Sequence, residues 1–173
     1  MNAPHTLAKE NKELYLQTFG ELYEHSIWVI EDCFLEVAKN SLYDDLEEYH
    51  KLLSRTMLQA SSELQDALIK AHPMLAGKKA MANELTDFST NEQKSAGLSD
   101  CTQEEIAQFD KLNQTYLQTF GFPFILAVKG KNKEEIISNF ELRLTNSLET
   151  ETKTALEQIN SIAWIRIKDI YDK

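Results

Sequence analysis

One histidine of the chain stands directly before a proline, in the pair His72 and Pro73. The proline ring disfavours helical geometry at the residue before it, so we expect His72 to lie at a helix end in an extended conformation. An imidazole titrates near neutral pH and can therefore act as a general acid or base. The alternative interpretation is a partly exposed loop histidine with no catalytic role.

Ser89 and Glu92 stand three residues apart at the predicted start of another helix. This spacing predicts a capping box, in which the Ser89 side chain binds an amide of the first turn and Glu92 reaches back. A helix N-terminus also presents unpaired amides and a partial positive charge, which suit a carbonyl or carboxylate ligand. In this second interpretation Glu92 orients a donor of the ligand or transfers a proton.

Arg166 lies on the apolar stripe of the last predicted helix. The stripe also contains Ala155, Ile159, Ile162, Ala163 and Ile170. A buried guanidinium requires a partner, because burial of an unpaired charge is very costly. It either pairs with Asp169 or extends along the apolar surface to reach water. In the functional interpretation it binds a carboxylate of a ligand.

The segment from Phe120 to Lys129 is mostly apolar, although Gly121 and Pro123 interrupt it. A buried irregular segment must find partners for its backbone N–H and C=O groups. We expect either an extended segment that fills the core or the start of another helix. A third interpretation is a polar backbone edge inside an apolar pocket, which suits ligands that contain amide groups.

The elements that position these residues are predicted to be helices. The 173 residues include only five Gly and three Pro, and they are rich in Leu, Glu and Lys. This composition favours an all-α protein, and the length favours one domain over residues 1–173. We predict a single-domain bundle of about seven to eight mostly antiparallel helices.

Capping signals and glycines predict the helix boundaries. Helices are expected at about 11–19, after Ser26, after Asp45, from Ser62, from Ser89, from Thr102, and at about 133–146 and 149–171. Ser62 with Gln65 and Thr102 with Glu105 have capping-box spacing. Gly20 and Gly121 end two copies of the hexapeptide Tyr-Leu-Gln-Thr-Phe-Gly, and both are expected to cap a helix, Gly20 in the left-handed conformation. Residues 73–88 are predicted to be the least regular stretch.

The net charge of −10, from 18 basic and 28 acidic residues, argues against binding to nucleic acids or anionic membranes. The two cysteines, Cys33 and Cys101, have no metal-binding spacing, which is typical of an intracellular protein with free thiols. No apolar run reaches the roughly 18–20 residues of a membrane span, and no signal-peptide pattern is present. We therefore expect a cytoplasmic protein without a metal site.

Six stretches of the chain match one enzyme family in order. They are Phe19–Ser26, His72–Lys78, Ser89–Leu98, Phe120–Gly130, Arg143–Asn146 and the final helix with Arg166. Together they resemble the 2-oxo-4-hydroxy-4-carboxy-5-ureidoimidazoline (OHCU) decarboxylases, which catalyse the last step from urate to (S)-allantoin. The resemblance covers nearly the whole chain. It implies an all-α, cofactor-free homodimer that acts on a small-molecule substrate.

The resemblance also implies residue roles. His72 matches the catalytic acid/base, Glu92 the second catalytic group and Arg166 the arginine of the last helix. The implied substrate-binding residues are Pro73, Ser89, Thr90, Asn91, Glu92, Gln93, Phe124, Ile125, Leu126, Ala127 and Val128. Two positions depart from the family: Met74 replaces an aspartate and Ile27 a proline. The Met74 exchange bears on how the loop after His72 is capped.

We therefore expect cofactor-free decarboxylation of OHCU to (S)-allantoin and CO₂. For this reaction His72, Glu92 and Arg166 must converge around one cavity. The alternative is a non-catalytic, acidic helical domain that binds a protein partner. Such a domain requires a contiguous exposed apolar patch, and the sequence offers no obvious surplus apolar face for one. A family member with a shifted substrate choice is a third alternative.

Overall fold

The computed structural model describes residues 2–77 and 85–172, and within these ranges the protein is all-helical, without a strand. The described α-helices are α1 (Pro4–Glu10), α2 (Lys12–Phe19), α3 (Trp28–Lys39), α4 (Leu46–Leu58), α5 (Ser62–Ala71), α6 (Asp87–Ser95), α7 (Gln103–Phe120), α8 (Lys133–Arg143) and α9 (Leu148–Tyr171). Short 3₁₀ helices cover Ser41–Asp44 and Leu98–Asp100. The predicted all-α class is confirmed. The predicted irregular stretch 73–88 includes residues 78–84, which lie outside the described ranges.

The predicted number of seven to eight helices is too low, because the described residues alone form nine. The difference arises at the N-terminus, where one helix is predicted and two are found. Pro4 occupies the first turn of α1, where its fixed φ angle suits a helix. Asn11 then adopts φ −155° and ψ 100°, and its side chain accepts the amide of Leu14. Asn11 therefore ends α1 and caps α2.

The predicted capping box at the start of α7 is confirmed. The Thr102 hydroxyl accepts the Glu105 amide at 3.2 Å, and the Glu105 carboxylate accepts the Thr102 amide at 2.8 Å. The predicted box of Ser62 with Gln65 is wrong. Ser62 is already the first residue of α5, and the Gln65 amide group donates to two carbonyls at the end of α4. The Gln65 side chain therefore binds the end of the neighbouring helix α4 instead of capping its own helix.

The Cα positions divide the chain into two compact units. Unit 1 consists of Met1–Ala71 and Asn160–Lys173, and it contains α1 to α5 with the C-terminal part of α9. Unit 2 is His72–Ile159, and it contains α6 to α8 with the N-terminal part of α9. A single domain and an antiparallel arrangement remain predictions. None of the described helices is both long and apolar enough to cross a membrane.

Each unit has an aromatic core. In unit 1 the Tyr15 and Tyr49 hydroxyls lie 3.0 Å apart, and the Phe19 ring packs on Tyr49 with centroids at 5.1 Å. In unit 2 the rings of Phe124 and Phe140 stack with centroids at 3.7 Å. Phe124 belongs to the irregular segment that follows α7, so this stack attaches the segment to α8.

The two copies of the hexapeptide end their helices differently. Gly121 has φ +79°, in the left-handed region that glycine tolerates without strain. Gly20 has φ −59° and ψ −23°, so its predicted left-handed conformation is wrong. A Cβ atom at Gly20 would lie 2.5 Å from the carbonyl oxygen of Leu16. Glycine is therefore required at position 20 because a side chain would collide with the Leu16 carbonyl. The backbone conformation itself would allow other residues.

Candidate active site

The loop that contains His72 follows the end of α5. His72 is buried, with 7% of its surface exposed, which does not fit the alternative of a partly exposed loop histidine. His72 itself lies outside α5, which ends at Ala71, as expected from Pro73. The chain after it is non-helical as far as Gly77. Ala76 has φ +50°, a conformation that residues with a side chain rarely adopt. Surrounding contacts must therefore hold this loop in place.

Two buried amide side chains hold the loop. Gln93 of α6 accepts the Ala76 amide at 3.0 Å and donates to the Met74 carbonyl at 3.3 Å. Asn113 of α7 donates to the Leu75 carbonyl at 2.8 Å. Three consecutive residues of the loop are thus bound by side chains from two helices. Both ends of the Gln93 amide are used, so this residue, predicted to bind substrate, supports the loop next to His72.

Asn113 is a residue that the sequence analysis missed. It is 3% exposed, and its Oδ1 atom accepts no hydrogen bond from any described residue. The Leu75 carbonyl can only accept, so the Asn113 NH₂ group must face it. The available signal was its position on the buried stripe of α7, where Phe109, Tyr116 and Phe120 are apolar or aromatic. A polar amide on such a stripe indicates a specific buried partner.

Helix α6 begins earlier than the sequence predicts. Thr86 is its N-cap, and the Thr86 hydroxyl accepts the Ser89 amide at 3.3 Å. The predicted capping box of Ser89 with Glu92 is therefore wrong. Ser89 lies inside the helix and donates its own amide to the cap, so it is not the N-cap residue. Ser89 is buried in the first turn, and Glu92 is half-buried one turn further on.

This shift changes what α6 can offer a ligand. The Thr90 amide donates to the Thr86 carbonyl at 2.9 Å, so it is already used within the helix. The amides of Asn91, Glu92 and Gln93 follow inside the same helix. Contacts from this stretch to a ligand must therefore be made by side chains. Thr90 and Glu92 are half-buried and Asn91 is exposed.

The segment Phe122–Val128 forms neither a helix nor a strand, so the alternative of another helix is wrong. All of its residues are buried except Ala127, which is half-buried. Arg143 donates through Nη1 to the Ile125 carbonyl at 2.5 Å. The Ala127 amide donates to Gln158 Oε1 at 3.0 Å. Side chains of α8 and α9 thus satisfy backbone groups that a buried irregular segment cannot satisfy by itself.

Arg143 is held by a buried network. Its Nε atom donates to Glu151 Oε1 at 2.6 Å, and the guanidinium lies 4.4 Å from the ring centroid of Phe124. The Tyr116 hydroxyl donates to the same Glu151 oxygen at 2.5 Å, and Asn146 donates to the other at 2.8 Å. Burial, followed by the hydrogen bond to Glu151, raises the Tyr116 pKa well above its ordinary value. Tyr116 therefore remains a neutral donor.

Arg166 belongs to unit 1 and is 1% exposed, so extension of its side chain to the surface is wrong. Its Nη1 atom donates to the Glu21 carbonyl and its Nη2 atom to Glu24 Oε2, both at 3.1 Å. Glu24 is itself 2% exposed. This pairing with Glu24 was not predicted. Glu24 lies in the stretch Phe19–Ser26, and this position was the only sequence feature that pointed to it. That stretch was used only for the family resemblance.

The two cysteines are free thiols. Cys33 is buried with its sulfur 3.1 Å from the Thr56 hydroxyl, and burial raises the pKa of its thiol to about 11. Cys33 is therefore a poor nucleophile at neutral pH. Among the described residues, no three His, Cys, Asp or Glu side chains form a group that could hold a metal ion.

A family model described as OHCU decarboxylase matches residues 9–168 of the chain. The 2-oxo-4-hydroxy-4-carboxy-5-ureidoimidazoline decarboxylase of Haloferax volcanii is 35% identical over 167 residues, which cover 95% of both chains. The uric acid degradation bifunctional protein PucL of Bacillus subtilis is 40% identical over 153 residues, which cover 88% of this chain and 29% of that protein.

Solved structures are similar in fold. The crystal structure of an (S)-allantoin synthase superposes with a TM-score of 0.75 and 24% identity, covering 97% of this chain and 54% of that chain. An OHCU decarboxylase crystallised in the presence of (S)-allantoin superposes with a TM-score of 0.61 and 18% identity, covering 73% of this chain and 82% of that chain. At these identities the superpositions concern the fold alone.

Proposed function

Because the chain belongs to the OHCU decarboxylase family, we propose that His72, Glu92 and Arg166 carry the family's reaction in this protein. Its activity is the decarboxylation of OHCU to allantoin, in the degradation of urate. The observation that supports this activity most strongly is the similarity to the Haloferax volcanii decarboxylase, which covers 95% of both chains. The residue roles, the (S) configuration of the product and the absence of a cofactor are part of the proposal.

The substrate supplies its own electron sink. The carbon that loses CO₂ adjoins a C=N bond of the ring, so the electron pair of the breaking C–C bond passes into that bond. The ring nitrogen of that bond receives the displaced electron pair and takes up a proton. Loss of the hydroxyl proton and protonation of the neighbouring ring carbon then convert the resulting enol into the ketone. In sum one proton replaces CO₂, and no external oxidant or reductant is required. The protein has to bind the anion, orient it and move protons.

His72 is proposed as the acid/base that moves these protons. Its burial and the support of its loop by Gln93 and Asn113 favour one fixed position for the imidazole. A fixed proton donor that protonates one face of the ring carbon yields one enantiomer, here (S)-allantoin. Glu92 is proposed to orient the imidazole or the substrate during this exchange. General acid–base catalysis of this kind contributes about 10²–10⁴-fold in rate.

Arg166 is proposed to bind an anionic group of the substrate. Its guanidinium is held by Glu24 and by the Glu21 carbonyl, which restricts its orientation. A restricted planar fork is suited to a carboxylate. The remaining contacts are assigned to Pro73, to the side chains of Ser89, Thr90 and Asn91, and to the backbone of Phe124–Val128. Because the Gln93 amide is used by the loop, we assign it a supporting role.

The experiment that tests this proposal follows optical activity. The freshly formed oxidation product of urate is mixed with the protein, and circular dichroism records the appearance of (S)-allantoin. The wild-type protein is expected to yield an optically active product faster than the spontaneous reaction. His72→Ala is expected to lower kcat about 10²–10⁴-fold, whereas His5→Gln, at a histidine whose ring contacts the Val37 carbonyl, serves as the matched control. Racemic product from the wild-type protein, or full activity in His72→Ala, would contradict the proposal.

A cytoplasmic homodimer also belongs to the proposal. The dimer is supported by the family resemblance alone, and the cytoplasmic location is supported by the two free thiols. Size-exclusion chromatography with light scattering distinguishes the two masses, because the chain of 19.9 kDa doubles on dimerisation. A monomer at working concentration would remove the dimer from the proposal.

A further inference from the structure

We propose that Arg143 and Gln158 are positioning residues that set the directions of the Leu126 backbone N–H and C=O for binding the substrate. This inference rests on the proposed function, because it concerns the segment Phe124–Val128 that is assigned there to the substrate. Neither residue was among the predicted site residues. Each contacts the backbone of the segment through a side chain of a neighbouring helix.

The planarity of the peptide bond connects the Arg143 contact to the Leu126 N–H. The Ile125 carbonyl and the Leu126 N–H belong to the same peptide plane, and in a trans peptide they point in opposite directions. The described peptide bonds are all trans. The contact of Arg143 with the Ile125 carbonyl, at 2.5 Å, therefore fixes the direction of the Leu126 N–H.

The next peptide plane is held in the same way. The Leu126 carbonyl shares this plane with the Ala127 N–H, which donates to Gln158 Oε1 at 3.0 Å. This contact fixes the direction of the Leu126 carbonyl, opposite to Gln158. The side chains of Arg143 and Gln158 thus anchor the peptide planes on both sides of Leu126. The N–H and the C=O of Leu126 therefore both have a fixed orientation. A ureido or amide group carries N–H and C=O groups that complement such a pair.

The Arg143 anchor is rigid because the guanidinium is bound on several sides. Its Nε atom pairs with Glu151, and its cationic centre lies 4.4 Å from the Phe124 ring centroid. Arg143 is 5% exposed and Glu151 is fully buried. Nη1 is directed at the carbonyl while Nε binds the carboxylate, which the single ammonium group of a lysine cannot reproduce.

Anchoring of this kind affects substrate binding through preorganisation. The segment has no regular hydrogen-bond ladder of its own, so its peptide planes would otherwise have to be ordered when the substrate binds. The carbonyl and N–H groups of a ureido group lie outside the bonds that change during decarboxylation, so a pair bound to them contacts the substrate equally before and during the reaction. Loss of an anchor is therefore expected to raise KM and to leave kcat nearly unchanged.

The decisive variant is Gln158→Met, because Gln158 is only half-buried and methionine has a similar length without an acceptor oxygen. We expect KM to rise about five- to tenfold, the effect of one lost hydrogen bond, with kcat within about twofold of wild type. Gln158→Glu retains an oxygen that accepts the Ala127 amide, and its KM is expected to stay within about threefold of wild type. Arg143→Lys is expected to raise KM in the same way as Gln158→Met.

A stability control separates positioning from a merely structural role. Lys133→Gln removes an ion pair with Glu105, at 2.7 Å in the same unit, and is expected to lower Tm without changing KM. If Gln158→Met lowers Tm or kcat while its KM stays within twofold of wild type, the positioning role is refuted. If the wild-type protein yields no optically active product, the proposed function fails first. An active wild type with an unchanged KM in Gln158→Met refutes this inference alone.

Discussion

Replacing Glu24 by glutamine removes the negative charge that faces Arg166 in the interior of unit 1. The two side chains are 2% and 1% exposed, and Glu24 Oε2 lies 3.1 Å from Arg166 Nη2. With an effective dielectric constant of about 20, two unit charges at this 3.1 Å separation attract by about 5 kcal/mol before desolvation is counted. Removal of one partner of a buried ion pair costs about 3–5 kcal/mol, because the other charge stays buried.

Glutamine keeps the shape of glutamate and one acceptor oxygen, so part of the hydrogen bond survives. We therefore expect Glu24→Gln to lower the free energy of unfolding by about 2–4 kcal/mol, the full cost less about 1 kcal/mol for the retained hydrogen bond. Urea denaturation followed by far-UV circular dichroism measures this quantity. Glu31→Gln, at an exposed position of α3, is the matched control and is expected to change it by less than about 0.5 kcal/mol.

A double-mutant cycle tests the cause of the loss. Arg166→Met removes the charge that has lost the Glu24 carboxylate in Glu24→Gln, so the double variant is expected to lose less stability than the sum of the two single variants. A loss of stability below about 1 kcal/mol in Glu24→Gln, or strict additivity in the cycle, would refute this prediction. Either result would show that the two charges do not interact as a buried ion pair.

Two further predictions concern unfolding stability. Gly20→Ala is expected to destabilise the protein more than Gly121→Ala. At Gly20 the new Cβ atom would lie 2.5 Å from a carbonyl oxygen. At Gly121 it would meet nothing within 4 Å, so only the strain of the left-handed backbone remains, about 1–2 kcal/mol. Thermal denaturation of both variants checks the order, and equal losses would contradict it. Burial lowers the pKa of His50 below 6.5, although the bond from its Nε2 atom to the Asn160 carbonyl opposes this shift. The unfolded chain therefore takes up this proton more readily, so the His50 contribution to stability is present above pH 6.5 and is lost as the pH falls below it. His50→Gln is expected to flatten this part of the profile in urea titrations between about pH 5 and 7.5, and an unchanged slope would refute the assignment.

Several features of the site were accessible to sequence reasoning. The displacement of His72 from α5 follows from the ring of Pro73, which acts on its direct neighbour. The capping box of Thr102 with Glu105 depends on atoms three residues apart, and it forms as predicted. The irregular course of Phe122–Val128 follows from Gly121 and Pro123. In each case the cause lies within a few residues of its effect.

Other features depended on a choice between similar local signals. Thr86 and Ser89 are both good N-cap residues, and the helix begins at the earlier one. Gln65 has capping-box spacing with Ser62, but its amide group binds the end of α4 instead. Sequence spacing identifies the candidates in such cases, while the contacts with neighbouring elements select among them.

The amino-acid sequence by itself determined that the protein is helical and where most of its helices begin and end, because these preferences act between residues within one or two turns. Only the tertiary structure decided that the two identical hexapeptides end in different glycine conformations, since the surroundings of Gly20 and Gly121 differ. It also decided the partner of Arg166, because Glu24 is 142 positions away in the chain and only folding brings the two charges together in an interior where neither can remain unpaired.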